Sequence, residues 1–416
     1  MSHPNPDTPW LTRPYHRQWL RDQAEALFSF YGNRSFNPEG GFHELTAAGA
    51  PIKPENPTRG IHGTARMVHC FAIGSLLGRP GSDQIVDHGM HYLWNAHRDA
   101  ERGGYFWAVD DSGAADNGRK QGYGHAFVLL AASSASLVGH PLADTMIADV
   151  TEVIEQRFWN KAHGAIDEEF HADWLPISDY HGQNSNMHLT EALMAAFEAT
   201  GEGEYLRKAE SIADLIINRR ARENGFRVAE HFDANWNVDK HYKGDQMFRP
   251  PGTTPGHWLE WSRLVMQLWV LGGKRHDWMP DAAKSLFRQA VTIGWDEKHG
   301  GFFYNLDWDD RPDMRHKLWW PMSEGAAAAA FLLEHEDDDV PFFESWYRNI
   351  WDVIARHHID EVNGAWHEQL TEDMEPAYTL FGGKADIYHA LQACLIPLFP
   401  ATGSVTHGII ETGGEY

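Results

Sequence analysis

Six times along this chain a short aromatic or acidic segment opens on glycine: GGFHEL from Gly40, GGYFWAVDD from Gly103, GAIDEEF from Gly164, GFRVAEHFD from Gly225, GGFFYNLDWDD from Gly300 and GAWHEQL from Gly364. Successive starts fall 63, 61, 61, 75 and 64 residues apart. Self-similarity at a nearly fixed period marks a repeat architecture, and glycine followed by strand-forming residues reads as a hairpin or extended connector. Between copies there is room for two helices, and residues 123–138 and 142–159, for example, carry apolar side chains at helical spacing. Carried along the chain, the pattern predicts about twelve helices, over residues 15–31, 61–77, 82–97, 123–138, 142–159, 187–200, 203–221, 256–272, 279–295, 321–335, 341–358 and 386–398. A helix pair cannot bury its apolar face alone, but six pairs can do so by closing into a ring. The expected fold is therefore all-α, an (α/α)6 barrel whose inner helices surround a central hollow, with the connectors gathered at one end. An open helical solenoid is the competing arrangement.

No linker, low-complexity tract or long block of like charge interrupts the repeat, so residues 1–416 are expected to form one domain. The longest run of small apolar residues, Gly325 to Leu333, is too short to span a bilayer, and the first ten residues lack a signal-peptide core. A soluble cytoplasmic protein is expected. Cys70 and Cys394 lie in apolar helical patterns, where reduced thiols pack as small hydrophobes. A net charge of -24 repels phosphate backbones and anionic lipid surfaces, which argues against nucleic acid and membrane as partners. Eighteen tryptophans are a heavy load: flat rings with an N–H donor suit the C–H faces and hydroxyls of sugars, although most must pack between helices.

If the connectors share one end of a barrel, polar residues at the starts of inner helices line one cleft. Arg66, Tyr123, Asn184, Asn186, His188, His257, Glu260, Glu324 and His389 all occupy such positions. The sharpest local signal is TPGHWLEW, in which Pro255 and Gly256 end a loop, His257 opens an apolar helix and Glu260 follows one turn later, where its carboxylate could orient the imidazole. His188 with Glu191 and His257 with Glu260 also form two His-x-x-Glu pairs, but neither HExxH nor a cysteine cluster is present, so no metal or other cofactor is expected. No nucleophile elbow, P-loop or dinucleotide fingerprint occurs.

The segments TARMVH, KQGY, NMHLTEA, EHFDANWN, TPGHWLEW, WWPMSEG and DIYHAL, in this order from about residue 15 to 398, resemble the N-acylglucosamine 2-epimerase superfamily. That resemblance implies an (α/α)6 barrel and metal-free proton transfer beside a sugar aldehyde. It places the two general acid/base histidines on His257 and His389, and an arginine holding a hydroxyl or anionic group on Arg66. It further implies a supporting histidine at His188, a pocket tyrosine at Tyr123, a carboxylate at Glu260 and a sugar-stacking indole at Trp320. TARMVH, KQGY and EHFDANWN are most similar to the branches acting on mannose and on sulfoquinovose, with His62 standing where an aromatic residue is common.

The implied reaction interconverts an aldose and a ketose, mannose and fructose or their pentose counterparts lyxose and xylulose, through an enediol. Histidine suits it because its unperturbed pKa lies near neutrality. His389 is expected to carry the proton between C2 and C1 and His257 to serve ring opening and the oxygens, though the roles are exchangeable. Asn184 and His188 join Arg66 in holding hydroxyls. Glu368, in the last connector, is expected near the pocket, where its charge would disfavour a sulfonated sugar, and Ala385 offers no polar group there; a neutral monosaccharide is the expected partner. A 2-epimerase needs nearly the same residues, and a glycoside hydrolase, for which Glu260 and Glu324 are the obvious carboxylate pair, shares the fold. A non-catalytic binding role is disfavoured by the presence of both histidines, and a homo-oligomer stays open.

Overall fold

The computed structural model describes residues 8–52, 58–244, 247, 249–335, 338–385 and 387–414, and within them the expected ring of helices is present. Thirteen α-helices are found among the described residues: α1 Pro14–Arg34, α2 Ile61–Leu76, α3 Ser82–Tyr92, α4 Gly122–Leu137, α5 Ala143–Val153, α6 Gln183–Thr200, α7 Gly203–Ala213, α8 Pro255–Leu271, α9 Trp278–Ile293, α10 Trp319–His335, α11 Val340–Val353, α12 Tyr388–Leu395 and α13 Val405–Glu411. The even-numbered helices form the inner ring, each touching the next, with α12 meeting α2. The odd-numbered helices α3 to α11 pack outside, and the N-terminal α1 supplies the outer partner of α12. Closure thus joins the two ends of the chain.

Inner helices are enclosed on every side and read accordingly. All of Ala326–Ala330 in α10 is buried, and such small side chains allow close helix approach. Outer helices are amphipathic: α7 buries Tyr205, Leu206, Ala209, Ile212 and Ala213 and leaves its opposite face polar. Four outer helices, α3, α5, α7 and α11, end in a wider π-helical turn, at Leu93–His97, Ile154–Phe158, Asp214–Ala221 and Ile354–His358. The sequence periodicity runs through these turns, so it shows a helix without distinguishing the change of winding. Helix α6 begins four residues before its expected start. Asp386, the expected first residue of the last inner helix, lies outside the described residues. Helix α13 was not foreseen, being seven residues long in a Gly- and Thr-rich segment. The chain leading into it is tied down where the N–H and hydroxyl of Ser404 donate to Glu198, while Ala401 N–H donates to Glu334 at 2.8 Å.

At one end, each strand that leads into an inner helix pairs antiparallel with the connector of the next repeat. Thr58–Gly60 pairs with Ala108–Asp110, Lys120–Gln121 with Glu169–Phe170, and His181–Gly182 with His231–Phe232. Thr253 bridges Leu306, Lys317–Leu318 pairs with Gln369–Leu370, and Gly383–Lys384 pairs with Leu45–Thr46 to complete the circle. Three repeats add a buried ion pair at the same place: the ammonium groups of Lys120, Lys317 and Lys384 reach Asp99, Asp296 and Asp360 at 2.7, 2.9 and 2.8 Å. Each aspartate also accepts backbone N–H groups of its own glycine turn, so one carboxylate fastens turn, strand and helix start together.

Many of the 26 histidines are structural. His97 and His358 donate Nδ1–H to the carbonyls of Phe106 and His367, and His125 donates to Gln121 O while accepting Tyr105 N–H at Nε2. Burial pushes the pKa of all three down to about 4. An unfolded chain protonates these rings near pH 6.5, so their contribution to stability is complete above that value and is lost as pH falls toward 4. At about 1.4 kcal/mol per pKa unit the loss is large against a typical stability of about 5–15 kcal/mol. Calorimetry between pH 7 and 4.5 should show a steadily falling Tm, and His97→Asn with His358→Asn, which keep a donor but cannot ionise, should flatten that slope. An unchanged slope would remove these groups as the cause.

Candidate active site

The carbonyl of the residue just before each paired connector strand accepts the first N–H of an inner helix in four repeats: Trp107 O from Ile61, Glu168 O from Gly122, Glu230 O from Gln183 and Glu368 O from Trp319. The backbone therefore sets these side chains beside helix starts at the mouth of the barrel. Around that mouth lies a cavity of about 70 Å³ lined by Arg66, Tyr123, Asn184, His188, His257, Glu260, Trp320 and His389, together with Met247, Pro250, Tyr304, Trp319 and Phe381. Eight residues singled out from sequence, drawn from six inner helices, are thus brought together.

His257 and His389 are held alike, by carboxylates from different elements. His257 Nδ1 lies 2.9 Å from both oxygens of Glu230, and His389 Nδ1 lies 2.9 Å from Glu324 Oε1. With each Nδ1 occupied by a carboxylate, Nε2 is the ring nitrogen left for chemistry. The indole of Trp320 stands against both imidazoles, its ring centre 4.9 Å from that of His257 and 5.9 Å from that of His389. Burial acts to raise the Glu230 carboxyl, but the charge and hydrogen bond of His257 and the amide of Gln183 outweigh it and hold the group below the usual range. Glu324 is likewise held low, burial being outweighed by the charge of Arg263 and the hydrogen bond with His389.

Glu260 therefore does not orient His257. It points beneath the cavity, its Oε1 3.7 Å from His188 Nδ1, and burial, then the neighbouring Glu324 charge, push its carboxyl well above the ordinary value. The partner is Glu230, 27 residues earlier in sequence, which was not singled out as a site residue; the signal available for it was the connector register it shares with Glu168 and Glu368. Glu230 is itself fixed by Gln183 Nε2 at 3.0 Å, and Gln183 Oε1 accepts the indole N–H of Trp261 at 2.7 Å. Glu368 also departs from expectation: its Oε1 accepts Ala385 N–H, and the side chain lies behind the wall rather than among the residues lining the cavity. Glu324 too sits behind the wall, bound to His389 and Arg263, so Glu260 and Glu324 do not flank a cleft as a hydrolytic pair would.

Arg66 donates to Tyr123 OH at 2.9 Å and lies between the rings of Phe127 and Tyr388, with 4.6 and 4.9 Å to their centres. These faces hold the guanidinium at the cavity without cancelling its charge. Burial lowers His188 to about 4, so it is a neutral imidazole, edge-on to Tyr123. Asn186 is structural, accepting Ile166 N–H and donating to Gly182 O. His62 stacks on Trp107 with 5.0 Å between ring centres, so its wall is flat and aromatic in character. Two donor groups here, His188–Glu191–Glu260 and Glu260–Glu324–His389, are compact enough for a cation. The buried Arg263 guanidinium already serves their carboxylates, 3.0 Å from Glu324 and 3.6 Å from Glu191, so a divalent ion would compete with a fixed cation for the same ligands.

The family model for N-acylglucosamine 2-epimerase (GlcNAc 2-epimerase) matches residues 40–393. A D-mannose isomerase of Pseudomonas cannabina pv. alisalensis is 41% identical over 405 residues, covering 95% of this chain and 96% of its own. A D-mannose isomerase of Thermobifida fusca is 38% identical over 413 residues, covering 98% and 100%. A crystal structure of a D-mannose isomerase superposes with a TM-score of 0.86 at 32% identity, over 95% of this chain and 99% of that one.

Replacing Glu230 by Gln is expected to reduce turnover by on the order of a hundredfold while Tm holds, because the amide no longer fixes the tautomer of His257. Glu368→Gln, whose amide oxygen still accepts the Ala385 N–H, should leave turnover of neutral and anionic sugars unchanged. Steady-state kinetics on both variants check the pair; equal losses would reverse the placement of the two carboxylates.

Proposed function

The chain belongs to the N-acylglucosamine 2-epimerase family, and from that premise we propose that this aldose–ketose isomerase interconverts D-mannose and D-fructose by histidine-mediated proton transfer through an enediol, without a metal. The observation that carries this reading is the pair of imidazoles, each seated on its own buried carboxylate and sharing one small cavity and one indole face. The names of the relatives supply the sugar.

In the proposed reaction His389 Nε2 takes the C2 proton of the open-chain aldose and returns it to C1. His257 gives a proton to the ring oxygen on opening, then moves protons between O1 and O2. Each histidine cycles between neutral and protonated forms, and a carboxylate at Nδ1 stabilises the protonated one. Arg66 supplies positive charge for the developing enediolate, while Tyr123, Asn184 and neutral His188 hold hydroxyls. Trp320 offers a flat apolar face to the sugar's C–H groups. Burial, then the Glu324 charge, push the Glu260 carboxyl beneath them well above the ordinary carboxylate range, which weakens it as a second anion facing the enediolate.

In deuterated water, mannose should yield fructose labelled at C1, detected by NMR, because the proton held by His389 exchanges with solvent before delivery. A 2-epimerase would instead return label at C2 of glucose. His389→Asn should abolish both exchange and turnover, and His257→Asn should stop turnover of the cyclic sugar while permitting slow C2 exchange in the open-chain fraction. Losses under about a hundredfold for both would sink the two-histidine mechanism. Activity should also survive EDTA, and rescue of a chelated sample by a divalent cation would reinstate the two donor clusters as ligands.

A further inference from the structure

Beside the catalytic cavity lies a larger chamber of about 200 Å³, and Tyr123 and Asn184 line both. Its wall carries two guanidinium groups, Arg119 and Arg249, which would attract a phosphate were they open to it. They are not. Glu169 bridges them, with Oε1 3.2 Å from Arg249 Nη1 and Oε2 3.8 Å from Arg119 Nη1. Glu168 Oε1 lies 3.6 Å from Arg249 Nη2, and the Arg249 guanidinium rests 4.6 Å from the centre of the Tyr180 ring. Gln121 donates to Glu169 Oε2 at 3.4 Å, and Glu168 is anchored to helix α6 by Ser185 Oγ–H and Gly182 N–H. Glu230, held as an anion against His257, opens on the same chamber.

We propose that Glu169, assisted by Glu168, is an anion filter: by occupying Arg249 it restricts this isomerase to uncharged aldoses and turns away phosphorylated ones. The assignment rests on the aldose–ketose isomerase reading. A sugar phosphate entering this chamber meets the buried carboxylates of Glu168, Glu169 and Glu230 and finds Arg249 engaged; reaching it requires displacing Glu169. A neutral sugar requires no such exchange. Glu368, which its place in the last connector suggests for this role, is not in the wall of either chamber.

The test compares mannose and mannose 6-phosphate on the wild type, Glu169→Gln and Glu169→Gln/Arg249→Gln, using kcat/KM for turnover and calorimetric titration for binding. Glu169→Gln should bind mannose 6-phosphate at least about tenfold more tightly than the wild type, with added salt eroding the gain, and the double variant should lose that gain. Unchanged affinity in Glu169→Gln, or a gain that persists without Arg249, overturns the filter. Should Glu169→Gln fail to fold, Glu168→Gln carries the same comparison, and no gain there also overturns it. Lack of mannose turnover by the wild type would sink the isomerase reading alone, since calorimetry with the phosphorylated sugar decides the filter without turnover.

Discussion

An open array of helical hairpins leaves an apolar face bare at each end, and in this molecule α1 removes that face by packing against α12 while Leu45–Thr46 pairs with Gly383–Lys384. Every other feature follows from this closure. It encloses the inner helices on all sides, so their starts converge on one mouth, and it forces each connector to lie beside the next. The strand pairs between connectors hold the helix starts at fixed height around the ring. The buried Lys–Asp pairs reinforce three of these junctions, where an unpaired lysine or aspartate would be strongly destabilising.

The barrel interior is apolar around its circumference but holds a buried polar cluster beneath the cavity. Arg263, 1% exposed, sits among Glu191, Glu324 and Gln267, and the hydroxyl of Tyr388 donates to Glu191. Burying one cation among several carboxylates is tolerable only when hydrogen bonds and shared protons offset desolvation. The same crowding holds the Glu324 carboxyl low through the Arg263 charge and its bond to His389, and pushes Glu260 upward through burial and the Glu324 charge. Closely spaced carboxyl groups are therefore shifted in opposite directions, the one bound to an imidazole downward and the other upward.

The two imidazoles reach equivalent settings by different routes. His389 takes its carboxylate from the adjacent inner helix α10, whereas His257 takes its carboxylate from a connector, which Gln183 and Trp261 hold in turn. Anchoring Nδ1 in both cases fixes ring orientation and leaves Nε2 as the free ring nitrogen of two imidazoles that share one cavity, which suits the proposed movement of one proton between neighbouring carbons and another between neighbouring oxygens. Acidic groups are the third part of the mouth: Glu168 and Glu169 pair with Arg249 in the chamber beside the cavity, while Arg66 stands in the cavity itself.

The twelve helices of the ring, though not α13, were legible in the sequence to within a few residues at their ends, because period and glycine spacing are local properties and each helix reports its own buried face. The choice between ring and solenoid was open there, since closure is a contact between α1 and α12, hundreds of residues apart. That Arg66, Tyr123, Asn184, His188, His257, Trp320 and His389 line one cavity could be read once the connectors were taken to share one end and the family resemblance was recognised. Which carboxylate serves which imidazole could not. Glu260 is one helical turn from His257 and looked like its partner, yet a helix fixes only the direction in which a side chain leaves its axis. The packing of α8 against its neighbours turns Glu260 inward toward His188 and Glu324, and pairing of His231–Phe232 with His181–Gly182 delivers Glu230 to His257. Glu368 was misplaced for the same reason: at the register of Glu230, its carboxylate meets a backbone amide of the neighbouring strand instead of the cavity. Sequence by itself determined the elements and the inventory of reactive groups; the pairing among those groups was decided by strand register and helix rotation, which exist only once the ring has closed.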